Sequence, residues 1–295
     1  MYGLNATFAK DIEPEYITIS ANSKRAWVTL QENNSIAEID LSSGAIIRVL
    51  PLGVKDISLA ANAFDVSDKD NKIELGTWPI KAFYLPEAIS MFTVNDNSYL
   101  ALANEGDTRD YGAAFNEEVK VSALTLDPLR FPTAALLKLD ANLGRLVVTK
   151  YNGDTDGDGD YDDLYSTGGR SITILNAANG QLVAEIGKDL EQRVIAANKY
   201  DDKRSDNKGV EVEAVTVSKV NGQMIAFIGM ERADMIAVYD VSVPASPVFL
   251  QLFSTGDAPE GLLYIKPQDS PNGRSILVVS SEGDGTVKLY QPDEI

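Results

Sequence analysis

The run Asp154-Thr155-Asp156-Gly157-Asp158-Gly159-Asp160-Tyr161-Asp162-Asp163 is where residue type and spacing speak most directly of chemistry. Carboxylates at loop positions one, three and five, with glycine at six, suit a tight turn that aims several oxygens at one hard cation such as calcium. Tyr165 stands where a bidentate glutamate usually completes such a shell, so Asp162 or Asp163 must do so. The expected metal ligands are therefore Asp154, Asp156, Asp158, Asp160, Asp162 and Asp163. A looser group, Asp65, Asp68, Asp70 and Glu74, fits no standard cation-loop spacing and is expected to be solvated surface.

A second pattern is spread along the chain. Pro14-Glu15-Tyr16-Ile17, Pro86-Glu87-Ala88-Ile89, Val212-Glu213-Ala214-Val215 and Pro259-Glu260-Gly261-Leu262 each place a glutamate two residues ahead of an aliphatic position. Glu32, Glu105, Glu231 and Glu282 each follow the next apolar segment. Gathered at one channel rim, these carboxylates would raise one another's pKa unless cations neutralise them. Capping of backbone N–H groups in a neighbouring unit is the alternative role. The mixed-charge stretches 105–111 and 201–209 adjoin the same rim. Their Arg109, Arg204 and Lys208 either neutralise it or, with Glu105 and Asp107, hold a phosphate beside a metal for hydrolysis. Lys55 and Asp56 are candidates for the same cluster.

Histidine and cysteine are absent, which removes thiol nucleophiles, ordinary zinc sites and every histidine-based acid/base scheme. Any catalysis must run on carboxylates, Lys/Arg, Tyr and a metal. The formal charge of −18 repels phosphate backbones, so nucleic acid is a poor partner. No apolar stretch is long enough to predict a membrane span, and Met1 to Asp11 lacks the pattern of a signal peptide.

Short strands must position these groups. Tyr16–Ser20, Ala26–Gln31, Ile36–Leu41 and Ala45–Leu52 alternate with Asn/Ser/Gly turns, the pattern of a four-stranded propeller blade of about 40 residues. Ala214–Ser218, Met224–Met230, Met235–Val241 and Val248–Phe253 repeat it. A third blade joins Ala88–Val94 and Tyr99–Ala103 to Ser171–Asn176 and Gln181–Ile186 across an insertion at about 104–170 that carries the acidic loop. A fourth gives three strands, Leu262–Ile265, Ile276–Ser280 and Thr286–Tyr290. The fold class is thus all-β, a single partial propeller domain over 1–295 with about four blades. Because the first two strands of a blade pair antiparallel, its two glutamates are expected to be neighbours at one rim. Closure needs another strand, which Met1 to Lys10 could supply, although blades upstream or a partner chain are the expected completion.

Several runs carry a family resemblance, among them Asp11-Ile-Glu-Pro-Glu-Tyr-Ile, Val28-Thr-Leu-Gln-Glu-Asn-Asn, Asn142-Leu-Gly-Arg-Leu, Gly153-Asp-Thr-Asp-Gly-Asp-Gly-Asp-Tyr-Asp, Arg204-Ser-Asp-Asn-Lys-Gly and Ala226-Phe-Ile-Gly-Met-Glu-Arg. From about residue 8 to 291 the chain resembles the choice-of-anchor I family of bacterial surface propellers, related to mesenchyme-specific cell-surface glycoproteins. The resemblance implies a secreted or surface-attached propeller, seven-bladed at full length. The expected role is that of a non-catalytic, calcium-stabilised surface propeller whose acidic face binds ions or a macromolecular partner. The alternatives are a calcium-dependent phosphoester hydrolase of the alkaline phosphatase or phytase type and a subunit of a surface filament or layer. Val210-Glu211-Val212-Glu213-Ala214 departs from the family's Pro-Glu-Pro-Glu-Gly run, and Ile57 replaces a polar or ring residue.

Overall fold

A computed structural model describes residues 7–291. Blade one is β1 (Pro14–Ile19), β2 (Arg25–Leu30), β3 (Ser35–Asp40) and β4 (Ala45–Pro51), antiparallel in sequence order. Next come β5 (Val54–Asp56) and β6 (Lys81–Phe83), then the first half of blade two, β7 (Ile89–Val94) and β8 (Asn97–Asn104). The chain leaves that blade to form β9 (Glu118–Lys120), β10 (Val147–Thr149) and β11 (Tyr165–Ser166), and returns with β12 (Ser171–Asn176) and β13 (Leu182–Ile186). β12 pairs with β8 from Ser171↔Asn104 to Asn176↔Tyr99, so blade two is rejoined across its insertion. Blade three is β14 (Val212–Val220), β15 (Gln223–Met230), β16 (Met235–Asp240) and β17 (Val248–Ser254). Blade four has three strands, β18 (Pro259–Ile265), β19 (Ile276–Ser281) and β20 (Thr286–Tyr290).

The blades pack face to face in chain order. Trp27 and Ile36 meet Ile89, Leu100 and Leu102 between blades one and two. Ile172 and Ile174 join Val215, Ile228 and Ala237 between two and three, and Phe227 and Val238 meet Tyr264 and Leu277 between three and four. Such apolar sheet-on-sheet contacts replace the single core of a smaller domain. The architecture is a β-propeller arc, and its ring is not closed among the described residues. The expected closing strand over 1–10 lies partly outside the described residues, and Phe8–Asp11 forms a short helix, α1.

The insertion does not stand alone. β5 and β6, from the linker after blade one, form one sheet with β11, β10 and β9, with β6 and β11 parallel. Ile57, Phe64, Ile80, Leu143, Leu146 and Leu164 fill a core of its own. Arg170 fastens this module to the blades. It is fully buried over the Phe64 ring and donates to the carbonyls of Asp65 and Ser205.

Candidate functional site

All eight expected rim glutamates line one cavity of about 420 Å³. Local geometry explains why. In blades one, three and four the first strand carries a register shift at its start, between Pro14 and Ile17, Val212 and Ala214, and Pro259 and Gly261. Glu15, Glu213 and Glu260 are the residues inside those bulges, and a bulge re-aims the side chain it releases from the ladder. In blade two the Glu87 N–H donates to the Ala103 carbonyl at 2.9 Å and the Ala103 N–H donates to the Ala88 carbonyl at 2.9 Å, so two residues face one there as well and Glu87 holds the same place. Leu85, Glu211 and Ala258, each two residues before a rim glutamate, have φ of 47°, 48° and 55°. This left-handed conformation is uncommon for such residues, and it recurs where the chain turns onto the rim.

The lining also includes Glu13, Asp107 and Glu211, against two cations, Lys208 and Arg232, and one neutral side chain, Gln31. Glu105 is held by the Lys208 ammonium, by Gln31 Nε2 at 2.8 Å and by the Asp107 N–H at 2.9 Å. Arg232 spans Glu211 at 2.9 Å and Glu231 at 2.8 Å. Among the described residues no basic side chain forms an ion pair with Glu15, Glu32, Glu87, Glu213, Glu260 or Glu282.

The electrostatics follow from burial and crowding. Loss of solvent and the nearby Glu105, Glu87 and Glu231 push Glu213 up to about 10. Burial first, then acidic neighbours, push Glu32 and Glu87 up to about 8. Glu231 is also raised to about 8, by burial and by Glu211. Glu15 and Glu260 are raised by the same causes.

The other candidates divide. Glu105, Asp107 and Lys208 line the cavity, whereas Arg109 does not. Arg109 is 1% exposed and bonds Asp11 at 2.8 Å, Glu117 at 3.1 Å and the Glu32 carbonyl. Arg204 pairs with Glu211 behind the rim. Lys55 does not join the cluster expected for it. It is buried against the Gly169 carbonyl at 2.8 Å and Glu185 at 2.7 Å. Asp65, Asp68 and Glu74 are engaged with backbone N–H groups, Arg145 and Lys72.

In the acidic loop, oxygens of Asp154, Asp156 and Asp162 lie within 4.8 Å of one another, and so do those of Asp127, Asp160 and Asp162. Oxygens coordinating calcium at about 2.3–2.6 Å are spaced on that scale, so both groups fit a hard cation. The Asp154 carboxylate accepts from the Gly157 N–H at 2.7 Å and the Gly159 N–H at 3.1 Å, and both glycines have positive φ. Asp158 is in neither group, and Asp163 pairs with Lys81 at 2.8 Å. Asp127 is the ligand candidate that loop spacing could not reveal. A bridge between Leu126 and Tyr161 brings it there.

The choice-of-anchor I domain profile matches residues 2–244. Gigasin-3a of Magallana gigas is 30% identical over 185 residues, covering 51% of this chain and 65% of that protein. The mesenchyme-specific cell surface glycoprotein of Strongylocentrotus purpuratus is 25% identical over 331 aligned positions, covering 97% of this chain and 41% of that protein. The chain thus spans less than two thirds of the length of these curated relatives. The crystal structure of RRP9 WD40 repeats covers 95% of this chain and 60% of its own at 11% identity, with a TM-score of 0.35. The propeller assignment rests on the blades themselves. On the extent of the profile match, the chain belongs to the choice-of-anchor I domain family.

Proposed function

We propose that this chain is the binding portion of a calcium-stabilised cell-surface propeller, which takes a positively charged ligand at its acidic rim. The observation that carries this reading is the rim cavity, where eleven acidic side chains face two basic ones. A low-dielectric mouth of one sign concentrates ligands of the other. The cell-surface setting is supported by the family and by the printed name of the sea-urchin relative. The acidic loop lies in the insertion module, away from the rim glutamates, and a cation there would tie Asp127 to the 154–162 turn as architecture.

Phosphoester hydrolysis is less well supported. A phosphate clamp needs free cationic donors, and Arg109, Arg204 and Lys208 are each committed to carboxylates. The test is hydrolysis of a generic phosphomonoester in millimolar calcium by the chain and its Glu105→Gln and Lys208→Ala variants. The expected result is no turnover that depends on these residues. Turnover above about 1 s⁻¹, within the ordinary enzyme range, that both substitutions abolish would overturn the reading.

A further inference from the structure

We propose that a cavity of about 610 Å³ between the outer strands of blades two and three binds an acidic side chain carried on an extended segment of a partner protein. This cavity shares no lining residue with the rim, so its role is independent of the one given above. Arg193 makes the site. It lies on the helix Lys188–Ala196, and its guanidinium stacks on the Phe249 ring, with Cζ 3.4 Å from the ring centroid. Its Nε donates to Asp189 Oδ2 at 2.8 Å and to the Tyr239 hydroxyl at 3.3 Å, and that hydroxyl donates to Asp189 at 2.5 Å. The guanidinium is thus fixed in its plane. Its two terminal nitrogens nevertheless take no hydrogen bond among the described residues, and neither is enclosed, so both remain open to the cavity that Arg193 lines.

The chemistry of the occupant follows from what is left unpaired. A guanidinium fork meets a carboxylate through two parallel N–H···O bonds, and stacking on an aromatic ring holds it ready to do so. Lys188, in the same lining, spends one ammonium hydrogen on the Ala60 carbonyl at 3.0 Å and keeps two more. The acids of the lining are already matched, Asp189 by Arg193 and Glu185 by Lys55 at 2.7 Å. With those pairs cancelled, Lys188 leaves the cavity positive in a chain whose formal charge is −18. Long-range attraction therefore works against an acid, and contact inside the cavity must supply the affinity. Ala61, Ile186, Pro247, Val248 and Phe249 complete the lining, so apolar residues flanking the acid are accommodated as well. Glu185 and Ile186 belong to β13 and Val248 and Phe249 to β17, each the last strand of its sheet. Backbone edges of that kind suit an extended peptide rather than a compact molecule.

Titration of the full chain followed by NMR chemical shifts, at about 0.15 M salt to screen diffuse charge, tests this with three probes. They are acetyl-Leu-Glu-Leu-amide, its Leu-Gln-Leu counterpart and hexanoate. The variants are Arg193→Lys, which keeps the charge and loses the fork, and Val248→Asp, which sets an acid in the cavity from a position already 55% exposed. The glutamate peptide is expected to bind the parent at least tenfold more tightly than the other two probes, and each variant is expected to weaken it at least tenfold. Should Arg193→Lys lower the thermal melt, Val248→Asp alone decides. Hexanoate binding as tightly as the glutamate peptide would make this a site for a free organic acid and overturn the assignment to a partner segment. Equal affinity for the two peptides would leave a groove without carboxylate recognition, and undiminished binding by a variant that melts like the parent would put the acid elsewhere. Either result overturns the proposal. So does the absence of binding at about 10 mM glutamate peptide, tenfold above the dissociation constant of even a millimolar contact.

Discussion

Individual carboxylates here are set by what surrounds them, and their positions were legible to different degrees. The glutamates Glu15, Glu87, Glu213 and Glu260 could be read because each opens an apolar segment, and hairpin geometry then places Glu32, Glu105, Glu231 and Glu282 opposite. Glu13 and Glu211 were equally available, since each stands two residues before a rim glutamate. Asp127 was not, because only tertiary pairing through Tyr161 brings it to the loop. The raised rim groups carry a pH consequence. Glu32, Glu87 and Glu231 sit at about 8 and Glu213 at about 10, above their ordinary value of 4.5. Between those values the native chain holds more protons than the unfolded one, so these groups make stability fall as pH rises through the folded pKa values. The melting temperature is expected to be lower at pH 9 than at pH 6, and Glu213→Gln, fixed in a neutral form, should flatten that decline. Identical slopes in parent and variant would remove Glu213 as a cause.

At the scale of elements, the blades were readable because strand alternation and Asn/Gly turns are local signals. Even the split of blade two survived, since β8 and β12 each keep an apolar pattern that only the other can complete. The insertion sheet was not readable. Its strands are two or three residues long, and β6 meets β11 in a parallel pair more than 80 positions away in sequence. The linker 54–83 therefore reads as loop although it supplies Ile57, Phe64, Val66, Ile80 and Ala82 to that module's core. The acidic turn belongs to this module, and its contribution is expected to depend on calcium. Asp156 sits in one ligand group and otherwise accepts only the Asp158 N–H at 3.3 Å. Asp156→Ala should lower the melting temperature in millimolar calcium and leave it unchanged in chelator. An equal loss in both conditions would show that the side chain acts through the turn alone.

For the molecule as a whole, the faces left uncovered are the informative ones. Across blade one, Ile17–Val28–Ala37–Val49 and Ile19–Ala26–Ile39–Ile46 form two cross-strand rows with no polar member. The opposite face, with Trp27 and Arg48, is the one that packs on blade two. Blade four repeats the arrangement. Leu262, Tyr264 and Leu277 face blade three, while the row Leu263–Val278–Leu289 faces outward. Ile17, Ile19, Ile46, Leu263, Val287 and Leu289 are each more than half exposed. Contiguous apolar faces of this kind are what blades present to one another, and exposed they drive association. Because both ends of the arc carry such a face, a second copy can cover them when nothing else does. Sedimentation of the 295-residue chain is expected to show dimers or larger species at micromolar concentration, and Ile17→Asp/Leu289→Asp should shift it to monomer. Neither residue lines the rim, so the acidic cavity should survive the change. A parent chain that remains monomeric at about 100 μM, a concentration at which a weak standard-size interface already forms, would mean that these faces are tolerated in water.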